Sequence, residues 1–243
     1  MKKYLLLLLM LGIGSMAQSQ ILITLLFGDK LNSEGLEFGL EGGLNWTTIS
    51  GLETNDYARK WNLGFYFDIR LKKQWSLYTG VLVKSNMGVD DLSDNDLLSL
   101  GASKVEYQNG DEIEGKYSHK MNTFLVPALL RYKFKNHLYA ELGPQFGLAY
   151  KSWVEFDSDI DGKEVVVKDF NKDKINLFDV GVTAGFGYTL FKGTGWTIGA
   201  KYYYGFLDVY KDIPSSKNSS FFIKLNIPIG AGKKPEKKKD TNG

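Results

Sequence analysis

Few side chains in this sequence are placed to do covalent chemistry. His119 and His137 are its only histidines, and it has no cysteine. A hydrolase or acyltransferase built on His119 would need a nucleophile and a carboxylate converging on the imidazole. Ser118 and Glu114 are the candidates nearest along the chain. Neighbours on a strand point to opposite faces, so Ser118 and His119 are not expected to meet. His137 stands beside the short turn Lys135-Asn136, where a surface role is the default. The pattern does not predict an enzyme, and no cofactor is called for.

Two acidic groups could attract a cation. Asp157-Ser158-Asp159-Ile160-Asp161-Gly162 copies the first half of a calcium loop, with Asp157, Asp159 and Asp161 as ligands. The twelfth position, where a bidentate Glu belongs, is Lys168, so a full EF-hand fails and a hairpin tip is the simpler reading. Asp90, Asp91, Asp94 and Asp96 form a second cluster, expected to be a solvated loop. Cation bridging to lipopolysaccharide phosphates would suit either group.

The elements that position these residues read as strands. Period-two alternation recurs along the chain, and no segment beyond the N-terminus reads as a long amphipathic helix. Trp61, Leu63, Phe65, Phe67, Ile69 and Leu71 share one face, against Asn62, Gly64, Tyr66, Asp68 and Arg70. Trp196, Ile198, Tyr202, Tyr204 and Phe206 likewise oppose Thr197, Gly199, Lys201, Tyr203 and Gly205. About eight such runs occur, each near the ~10 residues that cross a bilayer when tilted. Tight turns at 72–74, 135–136 and 192–194 alternate with long polar loops at 47–59, 85–119, 152–173 and 208–218. The expected fold is all-β: a single transmembrane up-and-down antiparallel β-barrel over 36–229, with short periplasmic turns and long extracellular loops. Asn109-Gly110 and Asp161-Gly162 look like hairpin tips that carry the two longest loops on as ribbons.

A soluble barrel would also alternate, so the direction of the faces matters. The polar face is rich in glycine, which weakens a water-facing strand but makes room inside a narrow barrel. Trp46, Trp61 and Tyr150 fall at the loop ends of their strands, and Trp75, Phe134 and Trp196 at the turn ends. Two aromatic belts match two bilayer interfaces. The lumen then holds Glu37, Glu41, Asp68, Glu141 and Asp179 with Arg70, Lys84, Arg131, Lys133, Lys201 and Lys224. Buried charges need partners, so a salt-bridge network is expected to fill it.

The N-terminus reads as an export signal over 1–19: Lys2 and Lys3, an apolar run from Tyr4 to Ile13, then Ser15-Met16-Ala17. Residues 20–35, with the apolar Ile21 to Phe27, would be a periplasmic segment, and 230–243 a disordered basic tail. The chain carries 30 basic and 28 acidic residues, which gives no argument for nucleic acid.

Phe38-Gly39-Leu40-Glu41-Gly42-Gly43-Leu44-Asn45 resembles the first strand of the porin-like (PorT-like) outer-membrane β-barrel family of Bacteroidetes. Leu125-Val126-Pro127-Ala128-Leu129-Leu130-Arg131-Tyr132 is similar to its proline-centred strand. Asp179-Val180-Gly181, Gly185-Phe186-Gly187-Tyr188 and Tyr202-Tyr203-Tyr204-Gly205 resemble later strands. The resemblance covers a scaffold and carries no catalytic residues. It implies an outer-membrane protein of structural, binding or secretion-associated type, contacting outer-membrane lipid and lipopolysaccharide, with a protein partner met through the extracellular loops. A narrow passive porin is the alternative, and a lipid-modifying enzyme a distant third.

Overall fold

The computed structural model describes residues 35–229, apart from 55, 107–111, 161 and 194. The expected export signal, residues 20–34 and the basic tail lie outside the described residues.

Strands β1 (Leu36–Ile49), β2 (Ala58–Lys72), β3 (Trp75–Val89), β4 (Lys116–Lys133), β5 (Leu138–Ile160), β7 (Phe178–Thr189), β8 (Thr197–Asp208) and β9 (Lys217–Pro228) form an antiparallel ring. Each pairs with its sequence neighbour in the ring, and β1 pairs with β9 from Gly39↔Pro228 to Ile49↔Asn218. Closure leaves the ring without an open edge. β6 (Lys163–Phe170) pairs with β5 alone and stands outside the ring.

The alternation sorts side chains as the sequence predicts. Leu142, Phe178 and Phe186 point outward and are 59%, 69% and 67% exposed, whereas Tyr66, Tyr78 and Tyr203 point inward and are almost wholly buried. Bulges break the phase, two of them within runs that the sequence reads as continuous. Leu63 pairs with Lys84 but Gly64 with Leu82, so β3 carries one extra residue there. Leu82 still faces the lumen with Tyr78 and Gly80, but past the bulge the odd positions Ser85 and Met87 turn inward, while Lys84 turns outward and lies over the Trp61 ring at 4.4 Å. A lumenal Lys84 is therefore corrected, the cause being the inserted residue. On β5, Asn122↔Lys151 is followed by Thr123↔Ala149. Past this bulge at Tyr150 the even positions Ser152, Val154 and Phe156 face inward instead of the odd ones.

The 152–173 loop forms the expected ribbon, and the 85–119 loop carries a helix that its polarity did not suggest. The 152–173 segment becomes a hairpin of β5 and β6, turning at Gly162 with φ +75°. Within 85–119 lies α1 (Asp94–Leu100). Ser93 caps it by accepting from the Asp96 amide, and the Asp96 carboxylate accepts from the Ser93 amide in return, a reciprocal capping box. Gly101 ends it in the left-handed region at φ 68°, which a side chain would strain.

Candidate functional site

The lumen is filled in two storeys. In the turn-side half, Arg131 on β4 donates from Nε and Nη2 to Glu141 Oε2 at 2.9 and 2.6 Å, and from Nη1 to Asp68 Oδ2 at 2.8 Å. Arg131 and Glu141 are register partners on β4 and β5, so strand pairing itself delivers this contact. The other Glu141 oxygen accepts from Lys224 Nζ at 2.5 Å, and Lys201 Nζ donates to Glu41 at 2.8 Å. Tyr78 donates to Glu41 and accepts from Asn226 at 2.6 Å. The guanidinium lies over the Tyr78 and Tyr139 rings at 3.8 and 4.3 Å. Glu41, Asp68 and Glu141 thus meet Arg131, Lys201 and Lys224, three of each sign, all buried.

The other expected members stand apart. Lys133 is half-exposed at the rim and reaches Asp68 at 2.9 Å. Glu37, also near the rim, accepts from Tyr66 at 2.9 Å. Arg70 is exposed beside the turn and lies outside the network. Asp179 accepts from Asn218 at 2.7 Å, with no ion pair among the described residues.

Glycine makes this packing feasible. A Cβ on Gly199 would come within 2.2 Å of the Tyr139 hydroxyl and 2.8 Å of the Phe186 carbonyl. Gly199→Ala should therefore destabilise the barrel by about 1–3 kcal/mol through overpacking. The temperature at which unboiled protein loses its fast gel migration would show this; an unchanged temperature would mean that Tyr139 has another place to go.

The loop-side half holds an apolar cluster, not expected from the sequence, among buried polar side chains such as Asn45, Thr47, Asn62, Thr123 and Ser220. Leu82, Met87, Met121, Leu125, Ala149, Tyr203 and Phe222 begin it, and Val89, Leu92, Leu97, Leu100, Ile175, Val209 and Tyr210 continue it upward. Leu97 and Leu100 come from α1, which turns them into this cluster and serves as its lid. Asp96 anchors the lid to the first loop by accepting from the Glu53 and Thr54 amides at 2.7 and 3.1 Å. A void bounded by Met121, Ala149, Val209 and Asn218 measures about 10 Å³, room for about one water. The usable sequence signal was Ser93-x-x-Asp96 ahead of Leu97-Leu98 and Gly101.

His119 lies within the lid's seam, wholly buried. Its Nδ1 is 2.8 Å from the Tyr210 hydroxyl and its Nε2 2.8 Å from Ser152 Oγ, which bonds Asn171 Oδ1 at 2.7 Å. In one consistent arrangement Tyr210 donates to His119, His119 to Ser152 and Ser152 to Asn171 Oδ1, with the imidazole neutral and protonated on Nε2. Ser118 and Glu114 take no part in this chain of bonds. An amide stands at its end where a triad would place a carboxylate.

The family model for an outer membrane protein beta-barrel domain matches residues 16–211. The chain belongs to this family. Among solved structures, the Neisserial surface protein NspA is 9% identical with a TM-score of 0.42, covering 81% of this chain and 98% of its own. Ail of Yersinia pestis is 13% identical (TM-score 0.41; 81% and 100% covered), and OprG of Pseudomonas aeruginosa 12% identical (0.32; 80% and 93%). No curated protein matches the sequence.

The barrel resides in the cell outer membrane. Its lipid-facing surface runs between two aromatic levels. At the turn side Trp75 packs on Tyr132 with ring centres 4.8 Å apart, Tyr132 on Phe134 at 4.9 Å, and Trp196 is outward and half-exposed. At the loop side Trp46 meets Phe221 at 6.0 Å, Tyr150 meets Phe124 at 4.6 Å, and Trp61 lies outward. Everything beyond Tyr150 along β5, including the lid and β6, projects from the bilayer.

That projection redraws the acidic groups. Asp157 and Asp159 sit within β5, opposite Val166 and Glu164, and not in a loop; Asp161 lies outside the described residues. Among the described residues no three carboxylates or histidines are grouped to hold a metal. The second cluster is dispersed onto separate partners: Asp90 to Lys60 at 2.9 Å, Asp94 to Lys104 at 2.7 Å, Asp91 to Lys116 at 3.8 Å, and Asp96 to the cap. On the ribbon, burial would raise the Glu155 carboxyl, but hydrogen bonds from Lys120 and Trp153 hold it down at about 2.

His119 pairs with Val154, four residues past Tyr150, so it titrates outside the bilayer. Burial pushes its imidazole from 6.5 down to about 4, with Asn171 working the other way. A folded value below the unfolded one means that the unfolded chain takes up the proton first. The stability that neutral His119 supports is therefore complete above pH 6.5 and lost as pH falls toward 4, about 3 kcal/mol in all. Hydrogen exchange of the lid should accelerate across that window, and His119→Gln should flatten the dependence. A lid equally protected at pH 7 and pH 4.5 would contradict this.

Proposed function

We propose that this protein is a closed outer-membrane barrel that works through its extracellular surface, as a structural or interaction protein and not as a conduit or catalyst. The observation that carries this reading is the doubly filled lumen: a neutral charge network below and an apolar, lidded cluster above. A solute would have to displace both. His119, wholly buried among hydrogen-bonded neighbours, fits the same reading. On the outer face, Tyr57, Lys60, Asp90, Lys116, Lys120 and Asp157 line a cleft of about 430 Å³ whose mixed charges suit lipopolysaccharide or a protein partner. The strand motifs support a finer placement in the PorT-like branch, and Lys2 to Ala17 support export by a cleaved signal.

Purified protein that migrates as a folded barrel should be silent in planar bilayers. Reproducible single-channel openings would replace this reading with the porin. Exchanging the residues lining the outer cleft should abolish partner capture without altering the heat-sensitive gel shift.

A further inference from the structure

β6 presents an unpaired sheet edge above the membrane. Its eight residues, Lys163-Glu164-Val165-Val166-Val167-Lys168-Asp169-Phe170, bond β5 on one side and, among the described residues, leave the other open. Almost every position is exposed, Val166 and Val167 by 43% and 40%. Such an edge, β-branched and free of proline and bulges, is a template for another strand.

The parity of the ladder fixes which groups are free. Asn171 N donates to Ser152 O at 3.3 Å, and this pair continues the register that joins Trp153 to Phe170 and Ile160 to Lys163. In an antiparallel ladder the bonded residues recur every second position. The odd residues of β6 therefore bond β5, while the N–H and C=O groups of Glu164, Val166 and Lys168 point away. A partner must bond those even residues, so a second copy of β6 can dock only with even opposite even. Centring the pair on Val166 sets Glu164 opposite Lys168, Lys163 opposite Asp169, and Val165 opposite Val167. Every charge then meets its opposite, and the three valines meet valines. Centring one position to either side loses both ion-pair types.

Within one copy Lys168 already meets Glu155 at 3.3 Å, but the other three charges of the strand are poorly served. Glu164 stands directly opposite Asp159, a like-charge pair that is unfavourable across strands. Lys163 and Asp169 face Ile160 and Val154, with no ion pair of their own among the described residues. The two-fold supplies Glu164 with a lysine and joins Lys163 to Asp169.

We propose that β6 is a self-pairing strand, through which two copies of this chain join antiparallel about Val166. The inference rests on the reading of the extracellular surface as the working part. It also fixes how the copies are oriented. β6 returns along β5, which rises directly from the barrel wall, so an antiparallel neighbour belongs to a barrel pointing the other way. The pair therefore bridges two facing membranes.

The test uses full-length protein in phosphatidylcholine vesicles, with clustering read by light scattering. Wild-type vesicles should cluster. Lys163→Glu with Lys168→Glu makes every charge of the strand acidic, and Glu164→Lys with Asp169→Lys makes every charge basic. Each variant alone should cluster less by about tenfold or more, and mixing the two vesicle populations should restore clustering. In Val166→Cys protein, otherwise free of cysteine, mild oxidation should give a disulfide-linked dimer only in clustered vesicles. Gel migration shows that each variant is folded. Dispersed wild-type vesicles, variants that cluster like wild type, or a mixture that stays dispersed would overturn the pairing. Dimers formed within single dispersed vesicles would overturn the facing arrangement. Conducting channels would count against the closed-barrel reading and leave this pairing intact.

Discussion

Arg131→Met should destabilise the barrel by about 3–5 kcal/mol, because it leaves carboxylates in the lumen without their shared cation. Arg131 serves Glu141 and Asp68 together and stacks on two tyrosines. Lys224 still neutralises one oxygen of Glu141, and Lys133 still reaches Asp68 from the rim, so collapse is partial. Lysine cannot substitute, since an ammonium has neither the planar fork nor the stacking face. Lys133→Met provides the contrast. It removes a cation from the same Asp68, but one that is 45% exposed, and should change stability by less than about 1 kcal/mol. Urea unfolding in detergent micelles, followed by tryptophan fluorescence, measures both. Equal effects would mean that burial does not govern the network.

The second large effect lies in the lid. Leu97→Ala removes a buried side chain from the apolar cluster, worth about 2–5 kcal/mol of local stability. Because α1 is held by this cluster and by the Asp96 contacts, the loss should appear as lid opening and not as loss of the barrel. Amide exchange across Leu92–Gly101 should rise by at least about 30-fold, and proteases should cut the following loop sooner. The barrel's unfolding temperature should hardly move, and bilayers should stay silent because the charge network still closes the lower half. Conductance appearing in Leu97→Ala would show that the lid alone is the barrier.

The strands were legible because a wall between lipid and a packed lumen imposes a period of two. Trp61 to Leu71 and Trp196 to Phe206 could hardly be read otherwise. Six of the charges expected inside meet there, since Arg131 and Glu141, or Lys201 and Glu41, lie on the inward parity at matching heights. Lys84 went astray because a bulge has no composition to betray it: one residue too many reverses every side chain beyond. Arg70 has the right parity, but it lies so near the turn that water reaches it. The lid was hidden by its own surroundings, as Leu92, Leu97 and Leu100 are scattered among aspartates in a loop that looked merely soluble. Asp96 belonged to that acidic cluster in the sequence, yet in the structure it is the residue that ties the helix down.

The bond between β1 and β9 governs how the molecule comes into being. The two strands that seal the cylinder lie at opposite ends of the described chain, so no ring exists until the final strand has been delivered. Hairpins such as β2–β3 can form early, but a sheet rolled from β1 to β8 still has two raw margins and a lumen without Lys224. Maturation should thus be slow and late, with one concluding step that joins the margins and completes the inner electrostatics together. A chain stopped short of β9 should not make a narrower cylinder; it should remain an unsealed sheet, exposed to whatever binds such margins in the periplasm.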